Sequence, residues 1–398
     1  MLARPGGLAA VPLILLGCGM KAGAVPLHPW LPVSYAAAPL PGAVALAGTM
    51  SKAGVLGWIR LLPLGHASLV EWSAPVVLLG IAATFYGVAA GLCQRDAKVA
   101  LAYSSVSQMG FLSAAVGLGL VTPSGWNILL PAVLVYTLHH GLTKGALFLT
   151  VAVPGSAAAG RAQQLWSLAA TAALGLSLAG MTLTSGAVAK ASLKAAIVAS
   201  GAPSAAGIVS ALSLAAVGTT LLMARVWWLA AGSGQAAGPG SAPGVPAPHT
   251  PGAVPFAAWA AAAALALVAP WTLMGGLADA AQAWSLSGVA YILAGFALAG
   301  IAVWLTARGL WRRAPEVPAG DILVPLERAA FWVWSVTIGE PASHAHDHPV
   351  GTRETSRVSA AAPGPPVVEQ ALLDWPVYGL VVLGLMIAAA AALVLGSG

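Results

Sequence analysis

Five of the six lysines in this 398-residue chain, Lys21, Lys52, Lys144, Lys190 and Lys194, sit inside apolar sequence. The eleven arginines lie instead at the ends of apolar runs, in loops or in tails. A lysine in hydrocarbon costs roughly 2.5–3.5 kcal/mol on insertion scales, so it is kept there only where it faces a protein or water-filled interior. Desolvation lets an amine release its proton, which a guanidinium effectively cannot do. This segregation points to proton handling by Lys21, Lys52, Lys144 and Lys190. Snorkelling to a headgroup fits Lys194 better than Lys52, whose helix has apolar sequence on both sides. His139 and His140 precede Lys144, and the four-residue spacing of His140 and Lys144 puts them on one helical face. An imidazole, with its ordinary pKa near ~6.5, suits a relay between amines.

The acids are distributed in the opposite way. Glu71, Asp96, Asp279 and the remaining eight fall in loops or in the C-terminal segment, none in the middle of an apolar run. A buried lysine needs a partner to hold its charge. These amines are therefore neutral part of the time, or their carboxylate lies on another polypeptide or on sequence outside this chain. Supporting positions are His28, in a proline-rich break, and His139. Ser104 and Ser107 belong with Tyr103, Ser105 and Gln108 to a polar run that could order water or hydrogen-bond across helices. Cys18 and Cys93 read as packing residues. The run from His344 to His348, HAHDH, is too isolated to specify a metal site. No cysteine cluster, glycine-rich nucleotide fingerprint or P-loop appears, so neither a catalytic residue nor a cofactor is expected.

The elements that position these groups follow from composition. Hydrophobic residues make up 59% of the chain and charged residues only 7%, and mean hydropathy is +0.87. No water-soluble domain of this length sustains such a surface, which makes the chain a polytopic, all-α membrane protein. The net charge of +6 and pI near 9.6 come from helix ends and interiors, so nucleic-acid binding is excluded. About ten spanning helices are expected, near 8–34, 41–62, 72–93, 98–120, 126–152, 165–199, 205–230, 254–275, 285–310 and 375–396. Arg95 with Lys98, Arg161, Arg225, and Arg308 with Arg312 and Arg313 mark alternate loops. By the positive-inside rule the N-terminus lies outside and residues 311–374 lie in the cytoplasm of a bacterial inner membrane.

Two of these helices are expected to be discontinuous. Pro26, Pro29 and Pro32 follow Lys21, and the cluster GMTLTSG, 180–186, precedes Lys190. Proline removes a backbone donor and Gly/Ser/Thr clusters favour turns, so both free backbone groups at membrane depth, where only protein or water can satisfy them. Paired interruptions point to inverted repeats around a mid-membrane ion site. The chain then divides into the end of a first repeat (1–62), a second five-helix repeat (63–230), a flexible linker (231–255), two further spans (256–310), a cytoplasmic amphipathic and disordered segment (311–374) and a C-terminal span (375–398).

At four stretches the chain resembles a known family. KAGAVPLHPWLP with AAAPLPGAVALAGTMSKAGVLG, then DAKVALAYSSVSQMGF, HHGLTKGALFL and LAGMTLTSGAVAK are similar to the proton-translocating, antiporter-like membrane subunits of respiratory complex I, membrane-bound hydrogenases, Mrp-type sodium/proton antiporters and bicarbonate-uptake complexes. The resemblance covers roughly residues 10–230. It implies that Lys21 is the amine of a carboxylate–lysine pair, that Lys52 is the central lysine of the next helix, that His140 and Lys144 continue a hydrophilic axis, and that Lys190 is the terminal proton-exchanging group.

Where the chain departs from the family is equally informative. The family has about six helices before the one matching Lys21, one of them carrying the paired glutamate, so this chain is expected to be a fragment, a truncated product or one piece of a split subunit. Many members carry an acid after PWLP, where this chain has Val33, Ser34 and Tyr35. The expected function is proton conduction along a Lys/His/water axis beside other membrane subunits in the lipid bilayer, with sodium as a second ion left open. A non-transporting scaffold, and the proton channel of a bicarbonate-uptake complex, are the alternatives.

Overall fold

Asp96 starts the helix around which the others are arranged. Its carboxylate caps the first turn by accepting from the backbone amides of Lys98 and Val99 at 2.8 and 3.0 Å, satisfying two donors that a helix start leaves open. The structure, a computed structural model, describes residues 10–151, 160–232, 253–273 and 286–308, all of whose regular elements are helical. In chain order these are α1 (Ala10–Ala22), α2 (Trp30–Ala37), α3 (Leu40–Ala45), a π turn (Leu46–Met50), α4 (Ser51–Leu61), α5 (Val70–Leu92), α6 (Ala97–Val121), α7 (Pro123–Val151), α8 (Arg161–Ala179), α9 (Ser185–Ala199), α10 (Ala205–Gly232), α11 (Ala253–Leu273) and α12 (Leu286–Ala307). Among the described residues, four stretches are long and apolar enough to cross a membrane: Pro41–Leu61, Val70–Leu92, Ala97–Val121 and Ala205–Gly232. At 29 residues α7 is longer still, but its sequence is interrupted by Thr137, His139, His140, Thr143 and Lys144.

Helix α6 is buried almost throughout and packs against α2, α4, α5, α7, α9 and α10. Its partner α5 lies close enough that a Cβ at Gly110 would stand 2.4 Å from the Gly80 carbonyl oxygen. Hydroxyls tie the pair: Ser73 donates to Gly117 O at 2.7 Å, and Ser107 to Thr84 O at 2.8 Å. Small residues and interhelical hydroxyl bonds of this kind hold helices together where lipid removes the hydrophobic drive.

The apolar core divides along α6. Met109 to Leu120 pack with Trp58, Tyr136, Leu193 and Ile197 toward one end. Ala100 to Ala102 pack with Leu138, Leu142, Phe148, Leu174 and Leu222 toward the other. Between the two clusters lie Ser104, Ser105, Ser107 and Gln108, all buried. A polar belt thus crosses an otherwise apolar bundle.

Turns separate α1 from α2 and α8 from α9. Residues 23–29 separate α1 from α2, braced by the Trp30 indole, which donates to Met20 O at 2.7 Å. Helix α8 stops at Gly180, whose φ of +90° is left-handed. Gly180 and Met181 return hydrogen bonds to Leu176 O at 3.1 and 3.0 Å, closing the end as glycine does at many helix C-termini. Thr184 then caps α9 by accepting from Ala187 N at 3.4 Å. The sequence did not announce the π turn before Ser51. The amphipathic stretch near 320–340, most of the 231–255 linker, the HAHDH run and the last span fall outside the described residues.

Candidate functional site

Helix α7 carries the site. Tyr136, His140 and Lys144 succeed one another every four residues on a single face, and all three are at most 1% exposed. Lys144 Nζ reaches α6 and donates to Leu101 O at 2.7 Å. The same carbonyl accepts from Ser105 Oγ at 3.3 Å. Neither His140 ring nitrogen has a hydrogen-bond partner among the described residues, although both are buried. The ring lies within electrostatic reach of Lys52, Lys144, His139 and Lys190.

Lys52 arrives from the π turn. A π turn shifts the hydrogen-bond ladder by one residue, which frees carbonyls and recurs at functional sites. Here the Lys52 ammonium curls back onto Ala47 O, five residues earlier, and donates to Ser51 Oγ at 3.1 Å. Gly141 makes the approach to α7 possible: a Cβ there would stand 2.7 Å from Gly48 O and 3.6 Å from Lys52 Cε. Lys52 and Lys144 are in turn within electrostatic reach of one another.

Lys190 occupies the far side, next to the α8–α9 turn. Its Nζ donates to Ala179 O at 3.0 Å, one of the last carbonyls of α8, which have no helical partner of their own. The same ammonium lies 5.3 Å from the centre of the Phe111 ring, within cation–π range. Phe111 stacks on Tyr136 at 5.8 Å. The Tyr136 hydroxyl donates to Gln108 Oε1, and Gln108 Nε2 donates to Thr219 Oγ1 at 3.2 Å. His139 joins the turn to α7: its Nδ1 is 3.3 Å from Thr143 Oγ1 and 3.4 Å from Ser185 Oγ, which is 3.0 Å from Ser177 Oγ.

Five sequence-identified residues therefore share one buried region: Lys52, His139, His140, Lys144 and Lys190. The others stand apart from it. Lys21 is exposed on the last turn of α1. His28 is buried beside the Tyr86 ring, edge to face at 5.0 Å, where it packs the α1–α2 turn. Ser107 is committed to α5, and Ser104 is buried with no hydroxyl bond among the described residues. Lys194 is half-buried and donates to Ser213 Oγ at 3.3 Å. Tyr136, Phe111, Thr143, Ser177 and Ser185 were not singled out from sequence, yet the four-residue step from Tyr136 to His140 to Lys144 is a signal that would have found the first of them.

Among the described residues the carboxylates Glu71 and Asp96 are both exposed, and no group of three His, Cys, Asp or Glu side chains is arranged to hold a metal ion. The site's charges are thus held by main-chain carbonyls, hydroxyls and an aromatic face. A carbonyl or hydroxyl oxygen accepts from an ammonium and, more weakly, from a neutral amine.

Comparison with known proteins agrees with this architecture. NADH-quinone oxidoreductase subunit M of Pseudomonas aeruginosa is 40% identical over 142 residues, 34% of this chain and 27% of that protein. Hydrogenase-4 component B of Escherichia coli is 36% identical over 153 residues, 36% of this chain and 23% of that protein. The chain thus spans about a quarter of the length of these relatives. A chain of the Mrp complex from Dietzia sp. DQ12-45-1b superposes with a TM-score of 0.62 at 22% identity, covering 85% of this chain and 39% of that one, and shares its fold. Residues 1–216, more than half of the chain, match the family described as "NADH:quinone oxidoreductase/Mrp antiporter, TM", and to that family of multi-pass membrane subunits the protein belongs.

Proposed function

We propose that this chain conducts protons within a larger membrane complex, along a buried path formed by Lys52, His140, Lys144 and Lys190. The observation that carries the reading is how these amines are held: each donates to a main-chain carbonyl, and none has a carboxylate beside it among the described residues. A permanently charged buried ammonium requires a counter-charge, and breaking such a pair costs roughly 3–5 kcal/mol. Carbonyl partners serve an amine that alternates between charged and neutral forms. Two ammonium groups within reach of one another repel, so a proton arriving at one favours departure from the next. His140, between Lys52 and Lys144 with both ring nitrogens open, can accept on one nitrogen and release from the other.

Lys21, exposed on α1, pairs with a carboxylate on another polypeptide or on sequence outside residues 1–398. Helices α1 with α2, and α8 with α9, each act as one interrupted span, the ends of two inverted repeats, 1–62 and 63–230. Energy comes from partner subunits or an existing ion gradient, with the proton as the carried ion. The orientation has the N-terminus outside a bacterial inner membrane and residues 311–374 in the cytoplasm. Arg225 Nη2 donates to Gln94 O at 3.0 Å and lies in electrostatic reach of Arg95, so two of the alternate basic positions share one end of the bundle, the end that the positive-inside rule would assign to the cytoplasm.

The test is proton flux into vesicles reconstituted with the complex that contains this chain, against the same complex purified without it. Loss of flux together with the chain supports conduction. Equal flux from both preparations assigns the chain to scaffolding.

A further inference from the structure

We infer that Lys194, acting with Ser213, is the group through which protons leave Lys190 for the outer end of the bundle, an inference that rests on the reading of Lys190 as a proton-exchanging residue. Lys194 follows Lys190 by one turn of α9, on the same face and roughly 6 Å further along the axis. Beyond it α9 ends at Ala199, and the turn 200–204 leads into α10. That turn lies at the end of the bundle opposite Arg95 and Arg225, the outer end in the orientation above.

Three observations support this role for Lys194. The first is exposure: Lys190 is 7% exposed and Lys194, one turn nearer the outer end, is half-buried, while Ser213 is 8% exposed and Ser210, one turn further toward the outer end of α10, is exposed. Second, the hydrogen bond of Lys194 Nζ goes to a hydroxyl, Ser213 Oγ at 3.3 Å, whereas Lys144 and Lys190 each donate to a carbonyl and Lys52 donates to a carbonyl as well as to Ser51 Oγ. A carbonyl only accepts, but a hydroxyl accepts and donates and can pass a proton onward. Third, Lys194 and Lys190 lie within electrostatic reach of each other, so a proton on one promotes release from the other. Little else that titrates faces this pair. Among the described residues, helix α7 brings Tyr136, His139, His140 and Lys144 to the Lys190 side, α11 carries no titratable residue, and Lys98 and Tyr103 of α6, Arg161 of α8 and Arg225 of α10 all lie toward the other end.

The experiment measures proton flux in vesicles carrying the intact complex with Lys194→Met, Lys194→Arg or Lys194→His, beside Lys190→Ala. An exchanging role predicts at least about tenfold loss in the Met and Arg variants, because arginine keeps charge and length but does not release its proton. Histidine restores conduction with the pH profile displaced toward acid, as its lower intrinsic basicity requires. Wild-type flux in Lys194→Arg or Lys194→Met overturns the assignment and leaves Lys194 a snorkelling residue. Equal loss in all three variants, histidine included, overturns it in favour of a structural role. If Lys194→Met does not assemble, Ser213→Ala replaces it: a several-fold loss supports the route, and unchanged flux overturns it. Wild-type flux in Lys190→Ala removes the pathway itself, a result distinct from failure of this one step.

Discussion

The Lys190 ammonium donates at 3.0 Å to the carbonyl of Ala179, a residue on the other side of the turn that ends α8. The negative end of one helix dipole and an amine of the next are thereby joined across a chain interruption. A continuous helix would spend the Ala179 carbonyl on its own ladder. The turn and the amine are thus one device, which the glycine at 180 makes possible.

Gly180→Ala tests that device. Its φ of +90° suits glycine alone, and an added Cβ would stand 2.9 Å from Lys190 Cδ, at a backbone cost of about 1 kcal/mol. We expect an assembled complex with a melting temperature lower by a few degrees and flux reduced several-fold. Thermal unfolding in detergent and flux in vesicles read the two effects separately.

Gly186→Ala should be far more damaging. A Cβ there would fall 1.6 Å from Ser177 O and 3.0 Å from His139 Nε2. Because the obstacle is backbone, no rotamer relieves it, and overpacking of this kind costs about 1–3 kcal/mol or more. The expected result is loss of intact complex on size-exclusion chromatography, or a clearly lowered melting temperature.

Tyr136→Phe separates stability from transport. It removes the hydroxyl bonded to Gln108 while keeping the ring stacked on Phe111. Interhelical hydrogen bonds in membranes are worth on the order of 0.6 kcal/mol, so the complex should soften slightly and flux should stay close to wild type. A loss as deep as that of a lysine variant would place Tyr136 in the pathway.

Deleting Thr49 regularises the π turn. Removing one residue lets an α-helical ladder run through, placing Ala47 four residues before Lys52, so that its carbonyl is taken by the Lys52 backbone amide and withdrawn from the ammonium. Assembly should persist and flux should fall. Wild-type flux would make the π turn incidental.

Much of this was legible in the residues. Lysines in apolar sequence marked the site because hydrocarbon makes a misplaced amine costly, and GMTLTSG marked the α8–α9 turn because glycine and hydroxyl residues free the backbone. The apolar run near 98–120 marked α6. What the sequence left hidden depends on tertiary contact. The π turn has no compositional sign, since Leu46–Met50 reads as ordinary helix, and its close approach to Gly141 of α7 is a tertiary contact. Lys21 and Lys52 look alike in sequence, but one faces outward from α1 and the other inward from α4. Ser104 and Ser107 likewise share a helix and part company: one is tied to α5 and the other is not.

The most direct measurement is proton flux through reconstituted complexes carrying Lys52→Ala or Lys190→Ala, with assembly checked in the same preparations. The account predicts that each substitution abolishes flux while the complex remains intact. Wild-type flux in both would contradict it.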